Sequence, residues 1–135
     1  MPPRLRKPWA FPWGPAVASA LLATAPLAHA EIIDLKWTPA GTFERRLSIA
    51  PGQYAELCGA LAKGQTVQWR FEAGAPLDFN IHYHQGQDVV YPARASGVAQ
   101  SEGTLKVDPA QDYCWMWTNE SQAGVALTVK LNRGR

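Results

Sequence analysis

Leu77-Asp78-Phe79-Asn80-Ile81-His82-Tyr83-His84 alternates apolar and polar residues without a break. Period-2 alternation marks a strand with one buried and one wet face. It predicts Leu77, Phe79, Ile81 and Tyr83 on one side and Asp78, Asn80, His82 and His84 on the other. The rhythm recurs upstream, in Thr42–Ile49 (Phe43, Leu47, Ile49) and in Val67, Trp69 and Phe71. Downstream it returns as a short strand at 89–91 ended by Pro92, another at Leu105 and Val107, a strand at 113–118, and a last one through Val125, Leu127, Val129 and Leu131. Turn signals stand between the runs: Pro51-Gly52, Gln85-Gly86-Gln87, Asp108-Pro109 and residues 119–124. Residues 93–102 have loop composition, and 53–63 reads as a short helix or an irregular strand ended by Gly64. The expected fold is all-β, an antiparallel sandwich of jelly-roll-like kind or a small barrel, with about seven to eight strands.

The rest of the chain qualifies that core. Residues 1–30 carry the marks of a secretory signal peptide: Arg4, Arg6 and Lys7, an apolar stretch at 16–23, and the small-x-small motif Ala28-His29-Ala30, with cleavage expected after Ala30. Residues 31–41 read as an N-terminal arm and 42–135 as the β-domain. The formal net charge is +2, but the leader holds three of the 13 basic residues and none of the 11 acidic ones. Beyond residue 30 the balance is therefore −1, which removes the electrostatic case for a nucleic-acid partner. An apolar content of 47% against 18% charged argues for a packed domain over a disordered one. No stretch after the leader is apolar enough to span a membrane, so the expected product is a free periplasmic or secreted protein.

Past the leader, the chain has two cysteines, two histidines and one methionine. Cys58 and Cys114 in an exported small domain read first as one disulfide, worth about 4 kcal/mol on the chain-entropy model. Two free thiols acting as ligands are the competing reading. His82 and His84 share a strand face, about 7 Å apart at Cα. With Met116 or Asp78 they form a candidate metal set. Imidazole with thioether favours copper, and imidazole with carboxylate suits zinc. The plainer account is a pair of solvated histidines and a core methionine. Tyr113, Trp115 and Trp117 share the opposite face from Cys114 and Met116. They read as core. If Cys114 points inward to a disulfide, Trp115 and Trp117 point outward, and with Tyr83 they become a partner or sugar-binding surface. The sequence has no Gly-x-Ser-x-Gly, no His-Glu-x-x-His and no Gly-rich phosphate loop, so no enzyme activity is expected.

The order of features resembles the GOLD (Golgi dynamics) domain of secretory cargo receptors. The likeness runs from a Cys ahead of Lys63-Gly64-Gln65-Thr66-Val67-Gln68-Trp69-Arg70-Phe71 to Asp112-Tyr113-Cys114-Trp115-Met116-Trp117-Thr118-Asn119. It implies a β-sandwich, a Cys58–Cys114 bridge and a binding role. Those receptors continue into a transmembrane helix, whereas this chain stops at Arg135. A weaker likeness is to the cupredoxins, which place a His between the late Cys and the Met where this chain has only Trp115. The expected function is a non-enzymatic binding or protein-interaction module held by one disulfide. A copper- or zinc-binding protein and a carbohydrate-recognition module are the alternatives.

Overall fold

The computed structural model describes residues 3–4, 9–10, 12–23 and 30–134. Residues 12–23 are exposed and have no regular secondary structure. Arg6, Lys7, Ala28 and His29, which carry most of the signal-peptide reading, lie outside the described residues.

Among the described residues all regular structure is strand: β1 Glu31–Asp34, β2 Thr42–Ile49, β3 Tyr54–Leu61, β4 Thr66–Gln85, β5 Asp88–Lys106, β6 Gln111–Thr118 and β7 Val125–Gly134. They form one sheet in the order β1-β3-β6-β4-β7-β2, with β5 also paired to β4. The expected all-β class therefore holds. The sheet is mixed, because β1 runs parallel to β3 while the other pairs are antiparallel. The arm expected at 31–41 thus begins as a paired strand, with Ile33 in the core.

The long β4–β5 hairpin organises everything else. Its outer reach, Thr66–Ala73 of β4, pairs with β7. Its inner reach, Asp78–His82, pairs with β6. Between them the register slips at Glu72/Leu77, and the hairpin bends there. Extra residues in one strand bend it and raise its twist. The sheet therefore curls into two leaves that share one hairpin. The first leaf holds β2, β7 and the base of the hairpin; the second holds β1, β3, β6 and its tip. The strands at the two ends of the order meet again at an ion pair, Arg45 Nη2 to Glu31 Oε1 at 2.8 Å.

The core fills the space between the leaves. Trp69 and Phe71 come from the first leaf, and Phe79 and Trp117 from the second. Their rings interlock at centroid distances of 4.8–5.7 Å, with Phe71–Trp117 edge-on and Phe79–Trp117 stacked. Such offset and edge-on contacts add to plain area burial. Gly103 faces Trp69 across the hairpin, and a Cβ there would lie 2.6 Å from the indole. The last turn is tied by Asn119, fully buried, whose Nδ2 donates to the carbonyls of Ile49, Ala50 and Ala123.

The two separate strands expected at 67–71 and 77–84 are one element, and the piece expected at 89–91 is continuous with the one begun at Leu105, in a strand that ends at Lys106, one residue before Val107. The 93–102 stretch, read as a loop, is paired strand in the middle of β5. The ambiguous 53–63 segment is strand β3.

Candidate functional site

The alternation within β6 decides which face carries chemistry. Tyr113, Trp115 and Trp117 point into the core, so Cys114 and Met116 point outward. Cys58 stands directly opposite Cys114 in the β3–β6 register, with Cα atoms 4.1 Å apart, and the two are joined as a disulfide. The bridge thus lies on the outer side of the second leaf. The premise that a disulfide would draw Cys114 inward fails for this reason. Tyr83, Trp115 and Trp117 are buried, at 7%, 0% and 1% exposure, and form no partner or sugar-binding surface.

Reading across the outer face gives two adjacent rows. One row runs Ile32, Glu56, Met116, Asn80, Arg94 over β1, β3, β6, β4 and β5. The next runs Asp34, Cys58, Cys114, His82. Tyr91 completes the face beside His82, with ring centroids 5.9 Å apart, and the Arg94 guanidinium sits 3.6 Å over the Tyr91 ring. At that range the cation and the ring quadrupole attract. His84 is exposed, edge-on to His82 at 5.3 Å.

His82 is the buried polar centre of this face. Its Nε2 lies 3.1 Å from Glu56 Oε1, and its Nδ1 lies 2.7 Å from Asn80 Oδ1. Burial of the imidazole lowers its pKa below the ordinary histidine value; the Glu56 carboxylate pulls the other way, and His84 adds to the lowering. Both ring nitrogens are thus engaged by side-chain oxygens. Asp78 is engaged elsewhere: its Oδ1 accepts the backbone N–H of Gly97, a residue at positive φ in the bent part of β5. Met116 is half-buried in the row between Glu56 and Asn80. His82, His84, Met116 and Asp78 do share this face; both ring nitrogens of His82 and Oδ1 of Asp78 have other partners.

The two outer faces differ in character. On residues 31–134 the exposed large hydrophobic side chains are Ile32, Val89 and Tyr91. Val89 pairs with His84, so all three belong to the second leaf's face. The first leaf is polar and broad. It has a groove of about 850 Å³ with Glu44, Lys130, Arg70 and Glu102 along one row and Thr42, Asn132, Gln68 and Thr104 along the other. Two bases stand between two acids there, and Lys130 pairs with Glu44 at 3.9 Å. Exposed apolar side chains at the two edges of the second leaf's face, with Arg94 and half-buried Met116 on it, give it the aromatic, Arg and Met content typical of protein interfaces.

No family model matches this sequence, and no curated protein matches it. Solved structures do. The fold resembles that of the PliG lysozyme inhibitors. The Aeromonas hydrophila protein, a periplasmic inhibitor of g-type lysozyme, superposes with a TM-score of 0.59 at 14% identity, over 78% of this chain and 97% of its own. The Salmonella Typhimurium PliG gives 0.54 at 13% identity, over 78% and 100%. The pre-peptidase C-terminal domain of a Bacillus anthracis collagenase gives 0.52 at 14% identity, over 79% and 96%. These neighbours correct the expected kinship. The chain's likeness is to curled single-sheet proteins of this kind, not to GOLD domains or cupredoxins.

Nothing in the sequence marked Glu56, Tyr91 or Arg94 as site residues. Glu56 sat in the ambiguous segment, and Tyr91 and Arg94 flanked a proline in what read as a strand end and a loop. The missing signal was the length of β5, which continues through Pro92 and so places Tyr91 before it and Arg94 after it on the same face.

Proposed function

We propose that this chain is an exported, non-enzymatic protein-binding module, cleaved after Ala30, whose partner docks on the outer face of the second leaf. The observation that carries this reading is that Ile32, Val89 and Tyr91 all lie exposed on that face, Ile32 at its β1 edge and Val89 and Tyr91 on β5, with Arg94 stacked on Tyr91 and Met116 on β6 between the two edges. Aromatic, Arg and Met side chains in a partly desolvated patch are the usual anchors of a protein interface. The likeness in fold to periplasmic lysozyme inhibitors supports both the export and the class of partner. A g-type lysozyme is therefore the first partner to test.

The experiment is calorimetric titration of residues 31–135 with g-type, c-type and i-type lysozymes, alongside a lysis assay for inhibition. Binding to one class, weakened about tenfold or more by Tyr91→Ala and by Arg94→Ala, supports the reading. No binding to any of the three, or binding untouched by both substitutions, refutes it.

A further inference from the structure

The disulfide does not stand alone on its face. The Sγ atoms of Cys58 and Cys114 and a carboxylate oxygen of Glu56 all lie within 4.8 Å of one another. Glu56 is on the same strand face as Cys58, two residues away, and its side chain is only 17% exposed. His82, directly opposite Cys114 in the β4–β6 register, contacts Glu56 Oε1 through Nε2 at 3.1 Å. While the sulfurs are bonded to each other, neither is a thiolate and neither binds a metal strongly.

We infer that reduction of Cys58–Cys114 converts this cluster into a zinc site. Its ligands are the two thiolates and the Glu56 carboxylate, with His82 as the positioning residue that holds the carboxylate by a hydrogen bond. The chemistry balances with a dithiol reductant. The S–S bond takes two electrons and two protons and becomes two thiols, while the reductant leaves as its own disulfide. Zinc then displaces the two thiol protons as it binds the thiolates.

Three features favour zinc. Two thiolates with one carboxylate mix soft and hard donors, which zinc accepts and which magnesium or calcium does not. Zinc–sulfur bonds of about 2.3 Å and zinc–oxygen bonds of about 2.0–2.2 Å put tetrahedral donors roughly 3.5 Å apart, inside the span these atoms already occupy. The cysteines are also held without their bond, because the β3–β6 ladder runs in unbroken register from Tyr54↔Thr118 to Leu61↔Gln111. A preformed pair of this kind binds metal without first paying for loop closure. The site is independent of the partner reading.

The test uses residues 31–135 in oxidised form and after reduction by a phosphine, which supplies the two electrons, ends as the phosphine oxide and leaves no competing thiol. Zinc is titrated with thermal unfolding as the readout, and cadmium reports thiolate ligation by its ultraviolet charge-transfer absorption. The expected result is one zinc per reduced chain, a rise in the reduced protein's melting temperature, and no response from the oxidised protein. Reduced Glu56→Gln, which keeps both thiols, loses at least about tenfold in zinc affinity. Two results overturn the proposal: zinc leaves the reduced protein's melting temperature unchanged, or reduced Glu56→Gln binds zinc within twofold of the parent. If the reduced chain is partly unfolded, the melting readout still decides, because zinc must then restore the native tryptophan fluorescence.

Discussion

Replacing both cysteines, Cys58→Ala with Cys114→Ala, isolates what the bridge contributes. The bond closes a loop of sequence separation 56, so in the chain-entropy model it stabilises the fold by about 4 kcal/mol, through restriction of the unfolded chain. The native side of the ledger changes little. The β3–β6 ladder extends three or more register pairs to either side of Cys58↔Cys114, and the bridge sits outside the aromatic core. For a domain of this size, about 4 kcal/mol corresponds to a fall in melting temperature of roughly 15–20 °C. The assay is urea and thermal unfolding of residues 31–135, followed by tryptophan fluorescence. The unfolding midpoint falls, the slope in urea rises because the unfolded chain expands, and the native spectrum stays as it is. A fall of less than about 5 °C would refute the argument that the bridge works through the unfolded chain. A changed native spectrum would show that the bond shapes the sheet instead.

Other substitutions probe the remaining structure. Asn119→Ala leaves the carbonyls of Ile49, Ala50 and Ala123 without their donor and is expected to cost about 2–4 kcal/mol in urea unfolding. Gly103→Ala places a methyl 2.6 Å from the Trp69 ring, and the forced shift costs about 1–3 kcal/mol, read from the same curves. His82 gives a pH dependence whose sign follows from its lowered pKa. The unfolded chain takes up that proton first, so the contribution is whole above about pH 6.5 and is lost as the pH falls through the folded-state value. His82→Asn therefore flattens the melting temperature against pH on the acid side, and an unchanged slope would exclude His82 as its source.

Much of the fold was legible in alternation, and the limits of that signal are physical. β2 appears in the sequence with the bounds it has in the structure, because Phe43, Leu47 and Ile49 face one side throughout. β4 reads as two strands because Ala73-Gly74-Ala75-Pro76 interrupts the pattern, yet Phe71 and Leu77 are both buried on the same parity. The inward phase survives the bend, and that parity was the signal for one continuous element. The middle of β5 is rich in Ala, Gly and Ser; it forms a strand through backbone pairing to β4, which needs no apolar side chains. The parallel pairing of β1 had no local signature, since it depends on where β3 lies. For the site, sequence placed His82 and His84 on one face with Asp78. It did not show that Glu56 and Asn80 would take both nitrogens of His82, because one of those partners comes from another strand. The orientation of Trp115 and Trp117 was misjudged in the exposed-surface reading because a disulfide was assumed to be internal, whereas a bridge between neighbouring strands fits equally well on the outer face.

The central claim is that the second leaf's outer face is the docking surface. Amide and methyl NMR of residues 31–135, titrated with g-type lysozyme, tests it most directly. The account predicts shifts concentrated at Ile32, Glu56, Asn80, Val89, Tyr91, Arg94 and Met116, with the first-leaf groove at Gln68, Arg70 and Lys130 unmoved. Shifts centred on that groove, or none on either face at saturating lysozyme, would contradict it.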